Sequence, residues 1–319
     1  MTKYIIKRIA LMLLTFMIII SISFVLIKLV PITDGTNVII NELEKAKREA
    51  LGYNKPIIVQ LGIYLRNLFF HMDLGVSWKL ERMIDVSDMI GRRLPPTILL
   101  NLYSLIISIP IGIALGIFAA LKKNKWQDHM ISTIVILFVS VPSFVYAFLL
   151  QYFLGHKWKL FPLMVDSLND AGGWFTWKMF NSMMLPILAL AFGTIAGLTR
   201  FTRAELTETL TSDYMLLART KGLTKSQAVV HHALKNAMVP ILPSIIASFI
   251  SIMSGSLIIE GIFAVPGIGS LYIKAVSELD YDVFMGCNVF YVFIGLAAGI
   301  VVDLSYGFID PRIRMGASK

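Results

Sequence analysis

TSDYMLLARTKGLTKSQAVVHHALKNAMVP, residues 211–240, is a polar island between two apolar runs of membrane-crossing length. It reads as two short capped helices around a glycine. Ser212 stands at the N-cap position, with Asp213 in the first turn, where negative charge suits the helix dipole. Lys221 supplies a cationic last turn and Gly222 the residue just past the end. Thr224 and Gln227, three apart, predict a capping box for the second helix. Tyr214, Met215, Leu216 and Leu217 give the first helix more apolar surface than a solvated loop needs. Such a helix is either a docking knob for a partner or an interfacial helix lying on lipid.

The rest of the chain explains why the island is polar. Of 319 residues, 56% are hydrophobic and 15% charged, against about 25% charged in a soluble domain. The composition predicts an all-α, polytopic membrane protein. Net charge is +9; in such a protein this reflects basic cytoplasmic loops rather than nucleic-acid binding. The single cysteine, Cys287, lies in an apolar run and reads as a packing residue.

Six charge-free runs cover residues 9–27, 94–121, 130–155, 179–199, 236–259 and 283–302. The first follows Lys3, Lys7 and Arg8. It lacks the short core and small-residue cleavage site of a signal peptide, so a retained span is expected. Lys122, Lys123 and Lys125 follow the second run, Arg200, Arg203, Arg219, Lys221, Lys225 and Lys235 the fourth, and Arg312, Arg314 and Lys319 the sixth. The loop after the fifth carries Lys274 against Glu278, Asp280 and Asp282. The positive-inside rule then places both termini and the loop 200–238 in the cytoplasm. The expected organisation is an N-terminal end and first span over 1–30, an extracytoplasmic helical loop over 31–93, a membrane core over 94–308, and a cytoplasmic tail over 309–319. Within the outer loop, a polar helix is expected near 38–51 and an amphipathic one near 57–70. Trp158, Trp174 and Trp177 suit an outer aromatic belt.

Chemistry is sparse. No P-loop motif is present, so ATP hydrolysis by that route falls to a partner; neither HExxH nor GxSxG occurs. Adjacent His231 and His232 point about 100° apart on a helix and do not pair on a metal. Ionisable groups sit at span ends: Lys28 snorkels outward, Glu260 caps the outer end of the fifth run, and Asp303 shares a helix face with Tyr306 and Asp310. Asp303 is either a buried anchor or a proton relay. Ser244, Ser248, Ser251 and Ser254 stripe one face of the fifth run, for close packing or a polar path.

Tyr214, Ala218-Arg219 and Lys221-Gly222-Leu223, followed by His232-Ala233-Leu234-Lys235-Asn236-Ala237 and Pro240, resemble the cytoplasmic loop of bacterial ABC importer permeases. More narrowly, the chain is similar to the B-type subunit of oligopeptide and dipeptide permeases. Supporting matches include Asp73, Gly75 and Ser77 in the outer loop, Arg93-Leu94-Pro95-Pro96-Thr97, Glu260 through Gly269, Asp303 with Tyr306, and Asp310-Pro311-Arg312-Ile313-Arg314. Leu216-Leu217-Ala218 stand where the broader loop pattern begins Glu-Ala-Ala, which suits the peptide branch.

The resemblance implies a type I importer permease fold in the bacterial cell membrane and half of a translocation pathway. The implied partners are a second homologous permease, two ABC ATPases holding ATP and Mg, an extracytoplasmic binding protein, and membrane lipid. The chain itself would bind no cofactor and no nucleic acid. ATPase coupling falls on Asp213, Tyr214, Leu217, Ala218, Arg219, Lys221, Gly222 and Leu223. Arg219 and Lys221 would pair with ATPase acids or rest at the lipid surface. Ser248, Ser251, Ser254, Glu260 and Asp303 are candidate pathway or gate residues. The substrate implied is a peptide; nickel or another small solute in the same family, or a self-contained secondary transporter, is the alternative.

Overall fold

The computed structural model describes residues 2–30, 46, 49–50 and 52–309. The helix expected over 38–51 falls largely outside the described residues, as do Asp310 and the tail beyond it. In chain order the helices are α1 (Thr2–Leu29), α2 (Ile57–His71), α3 (Val86–Leu121), α4 (Trp126–Ser140), α5 (Ser143–Leu150), α6 (Met184–Leu210), α7 (Asp213–Thr220), α8 (Lys225–Ser254), α9 (Leu257–Ile262), α10 (Ile268–Ser277) and α11 (Tyr281–Ile309). Helices dominate because apolar runs in lipid have no water for their backbone groups, and a helix satisfies them internally.

Among the described residues, α1, α3, α6, α8 and α11 are each long and apolar enough to cross a membrane. The third run departs from the single span expected over 130–155. It is a bent pair, Trp126–Ser140 and Ser143–Lys157, turned by 100°. Pro142 is the cause: it offers no N–H, and it pushes Val141 into extended backbone (φ −85, ψ 128). The fourth span is also displaced. It begins at Met184 and runs on as helix through Arg200 and Arg203 to Leu210. The fifth stops at Ser254, where Gly255 turns the chain at φ 63.

The chain divides into two compact units. The first holds residues 1–97 and 266–297. In it, α1 buries Phe16, Ile20 and Phe24, one helical face, against Leu68 of α2 and Met285 of α11. Leu14, Ile18 and Ile22 on other faces stay exposed, as lipid contact requires. Cys287 packs with Val86, Met89, Leu271 and Val283, the structural role its setting suggests.

Buried carboxylates organise the segment 73–85 of this unit. Asp280 is fully buried and accepts from Ser77 Oγ at 2.7 Å, Trp78 N at 3.1 Å, Lys79 N at 2.9 Å and Leu80 N at 3.1 Å. Asp282 accepts from Tyr53 Oη at 3.0 Å and Trp78 Nε1 at 2.8 Å. Gly75, at φ 87, lies so close that a Cβ there would sit 3.0 Å from Asp282 Oδ2. Lys28 does not snorkel away. Its ammonium lies 3.8 Å from the Tyr53 ring centroid, 5.4 Å from Tyr281 and 5.6 Å from Phe24. Burial, and behind it the Asp282 and Asp73 carboxylates, raise the neighbouring Tyr64 hydroxyl above its ordinary pKa, so it stays neutral.

The second unit holds residues 98–265 and 298–319. Its core joins Leu100 of α3, Ala147 of α5, Leu185 and Ile187 of α6, and Phe263, all fully buried. Phe138 of α4 touches both Tyr146 of α5 (centroids 5.9 Å apart) and Phe192 of α6 (4.8 Å), so aromatic packing holds the bend. Thr199 Oγ1 of α6 donates to Gly112 O of α3 at 3.1 Å, an interhelical bond in a buried seam.

Candidate functional site

Helix α7 is short, and its C-terminal end is sharply defined. Gly222 sits at φ 87, the left-handed region that favours glycine. Leu223 N donates to Ala218 O at 3.3 Å and Gly222 N to Arg219 O at 3.0 Å, the paired bonds of a Schellman stop. The capping box forms as the spacing predicts: Gln227 N donates to Thr224 Oγ1 at 3.3 Å, and Thr224 N to Gln227 Oε1 at 3.0 Å. The other end differs. Ser212 has N-cap backbone geometry, but its hydroxyl donates back to Thr209 O at 2.6 Å and caps nothing.

Met215 and Ala218, three apart, are buried against Leu206 of α6, Ala120 of α3, and Ala228, Ala233 and Ala237 of α8. The partner positions are mostly alanine, so α7 lies close. Its other side is uncovered: Leu216 is 66% exposed and Leu217 55%. Tyr214, Arg219 and Lys221 are exposed as well. The arrangement is a small rigid body, pinned from one side and presenting leucines and cations from the other. His231 and His232 lie exposed on the π-helical turn Val229–Ala233 of α8.

Behind α7 lies an ion pair that sequence reasoning missed. Asp128 of α4 is 1% exposed. Arg203 of α6 grips it twice, Nε to Oδ1 at 2.5 Å and Nη2 to Oδ2 at 2.7 Å. Asn124 N also donates to Oδ2 at 2.9 Å. The pair ties the lysine-bearing turn 122–125 to the helix that leads into α7. Its members are 75 residues apart. With α6 expected to end near 199, Arg203 reads as one more loop cation. Continued helical periodicity past Arg200 was the available signal.

Ser248, Ser251 and Ser254 lie together on one side of α8. They line one cavity of about 430 Å³ with Asn101 and Ser104 of α3 and Thr194 of α6. These polar side chains share the lining with Leu105, Leu190, Ala247 and Ile252, and the lining carries no charge. Ser248 donates to Ser244 O at 2.9 Å, inside its own helix. Glu260 and Asp303 do not line this cavity. Glu260 is fully buried in the first turn of α9, beyond Gly255, and Asp303 is half-buried on α11.

The family model described as "Binding-protein-dependent transport system inner membrane component" matches residues 112–315. The chain is 35% identical over 320 residues to the dipeptide transport system permease protein DppB of Bacillus subtilis (strain 168), covering 99% of each. It is 35% identical over 317 residues to DppB of Lactococcus lactis subsp. cremoris (strain MG1363), covering 99% of this chain and 100% of that one. The oligopeptide transport system permease protein OppB of Escherichia coli (strain K12) is 31% identical over 316 residues, 98% of this chain and 100% of its own length. A bundle of membrane-length helices, a capped polar loop and full-length kinship agree: the chain belongs to the binding-protein-dependent transport system inner membrane components and is a permease subunit of an ABC importer.

Proposed function

We propose that this permease carries dipeptides or oligopeptides inward, as one of two homologous subunits that share the pathway. Two ABC ATPases supply the power with ATP and Mg, and an external binding protein delivers the peptide. Helix α7 and its glycine stop, Asp213 to Leu223, form the element on which an ATPase pulls. The observation that carries this reading is the two-sidedness of α7. Met215 and Ala218 root it in the membrane helices, while Leu216 and Leu217 face outward where a soluble domain can grip them. Counting the bent pair as one crossing gives six, an even number that puts both termini on one side; the basic loops make that the ATPase side in this reading. The peptide substrate rests on the full-length kinship with proteins named for dipeptides and oligopeptides. The uncharged cavity of serines, Asn101 and Thr194 fits it, since such groups hydrogen-bond a peptide backbone whatever its side chains.

Reconstitution with the partner subunits tests the reading. Labelled peptide uptake into proteoliposomes should require both ATP·Mg and the binding protein. Nickel uptake with no peptide uptake would refute the substrate, and uptake without ATP would refute the coupling.

A further inference from the structure

A second cavity, of about 630 Å³, lies where α3 and α6 end and α7 begins. Lys123, Lys125, Arg219 and Lys225 line it, against one acid, Asp213. Among the described residues none of the four cations makes an ion pair. Asp128, the acid nearest in the chain to the two loop lysines, does not offset them, because Arg203 holds both its oxygens. The rest of the wall mixes apolar Leu121, Leu210 and Val229 with the hydroxyls of Thr207, Thr211 and Ser212. Cations beside hydroxyls and apolar side chains match a molecule with an anionic, hydrogen-bonding head and a hydrocarbon body.

The position selects the molecule. Leu121 closes the apolar run of α3 and the lysine-bearing turn follows it directly, so this edge of the cavity lies at headgroup depth, while α6 has already left its apolar run at Arg200. Trp126, next to Lys125, is 68% exposed, as an indole anchored at that level is. Exposed Phe118, Leu121 and Met130 extend from the cavity along the lipid-facing surface. We propose that this groove binds the phosphate of an anionic phospholipid headgroup, held by Lys123, Lys125, Arg219 and Lys225 beside α7. Basic pockets between membrane helices take such headgroups.

The assembled complex, delipidated in neutral detergent, is titrated with dioleoylphosphatidylglycerol or dioleoylphosphatidylcholine, and bound lipid is counted by native mass spectrometry. Phosphatidylglycerol should bind at least tenfold tighter. K123A/K125A should weaken it roughly 30-fold, K123R/K125R should bind like the parent, and K159A, outside the groove, should change nothing. If K123A/K125A does not fold, K225A reads the same groove from its other wall, with a loss of roughly fivefold expected. Equal binding of the two lipids, or an unchanged alanine variant, overturns the proposal. So does displacement by equimolar inorganic phosphate, which would make the ligand a soluble anion, or cross-linking of Lys123 to an acidic ATPase side chain. The readout involves no ATPase activity, so its failure is separate from failure of the coupling role of α7.

Discussion

Asp128 is charged and 1% exposed, so its stability depends on what surrounds it. The Arg203 fork and Asn124 N satisfy its oxygens. Arg203→Ala would strand a buried carboxylate, and the expected loss is about 3 kcal/mol. Denaturant unfolding of the detergent-solubilised chain measures it. Asp128→Asn with Arg203 retained should cost less, because Arg203 is one-third exposed and recovers water. Neither partner was visible locally, since no sequence pattern links positions 75 residues apart. Lys28 was misread for the same reason: its aromatic cage comes from Phe24 one turn before it, but also from Tyr53 and Tyr281. Gly222 was legible because its signal is local, a glycine closing a helix with a cap box behind it.

At the level of elements, α7 has one buried side that folds and one exposed side for which we propose docking. Leu217 is exposed and touches none of the buried cores, so Leu217→Glu should leave the chain inserted while reducing ATPase recovery at least tenfold in pull-down. Gly222→Val acts differently. Open space surrounds the Cβ position, so its effect is backbone strain alone, about 1–3 kcal/mol, felt as a loosened α7. Protease sensitivity within 212–224 should rise in the valine variant and not in Leu217→Glu. Apolar runs located the long helices because hydrophobicity is additive along a chain. They did not reveal the 100° turn in the third, because hydropathy carries no direction. Pro142 inside that run was the readable warning. The extension of α6 to Leu210 was hidden for the converse reason: charge ends a hydropathy window without ending a helix.

For the whole molecule, the class and the capped loop 211–227 were readable in the sequence, because both rest on composition and local caps. The serine-lined cavity was half readable. Ser248, Ser251 and Ser254 follow helical spacing, whereas Asn101, Ser104 and Thr194 reach it from other helices. The candidate gate residues Glu260 and Asp303 stand apart from that cavity, which leaves its lining uncharged. We propose that this chain is driven from outside itself, and gentle purification of the chain from its own membranes, with mass spectrometry of what accompanies it, is the sharpest check. A second permease chain and P-loop ATPases should appear in near-equal amounts, with the ATPases lost in Leu217→Glu. A chain that purifies alone, stays folded and transports without ATP would contradict it.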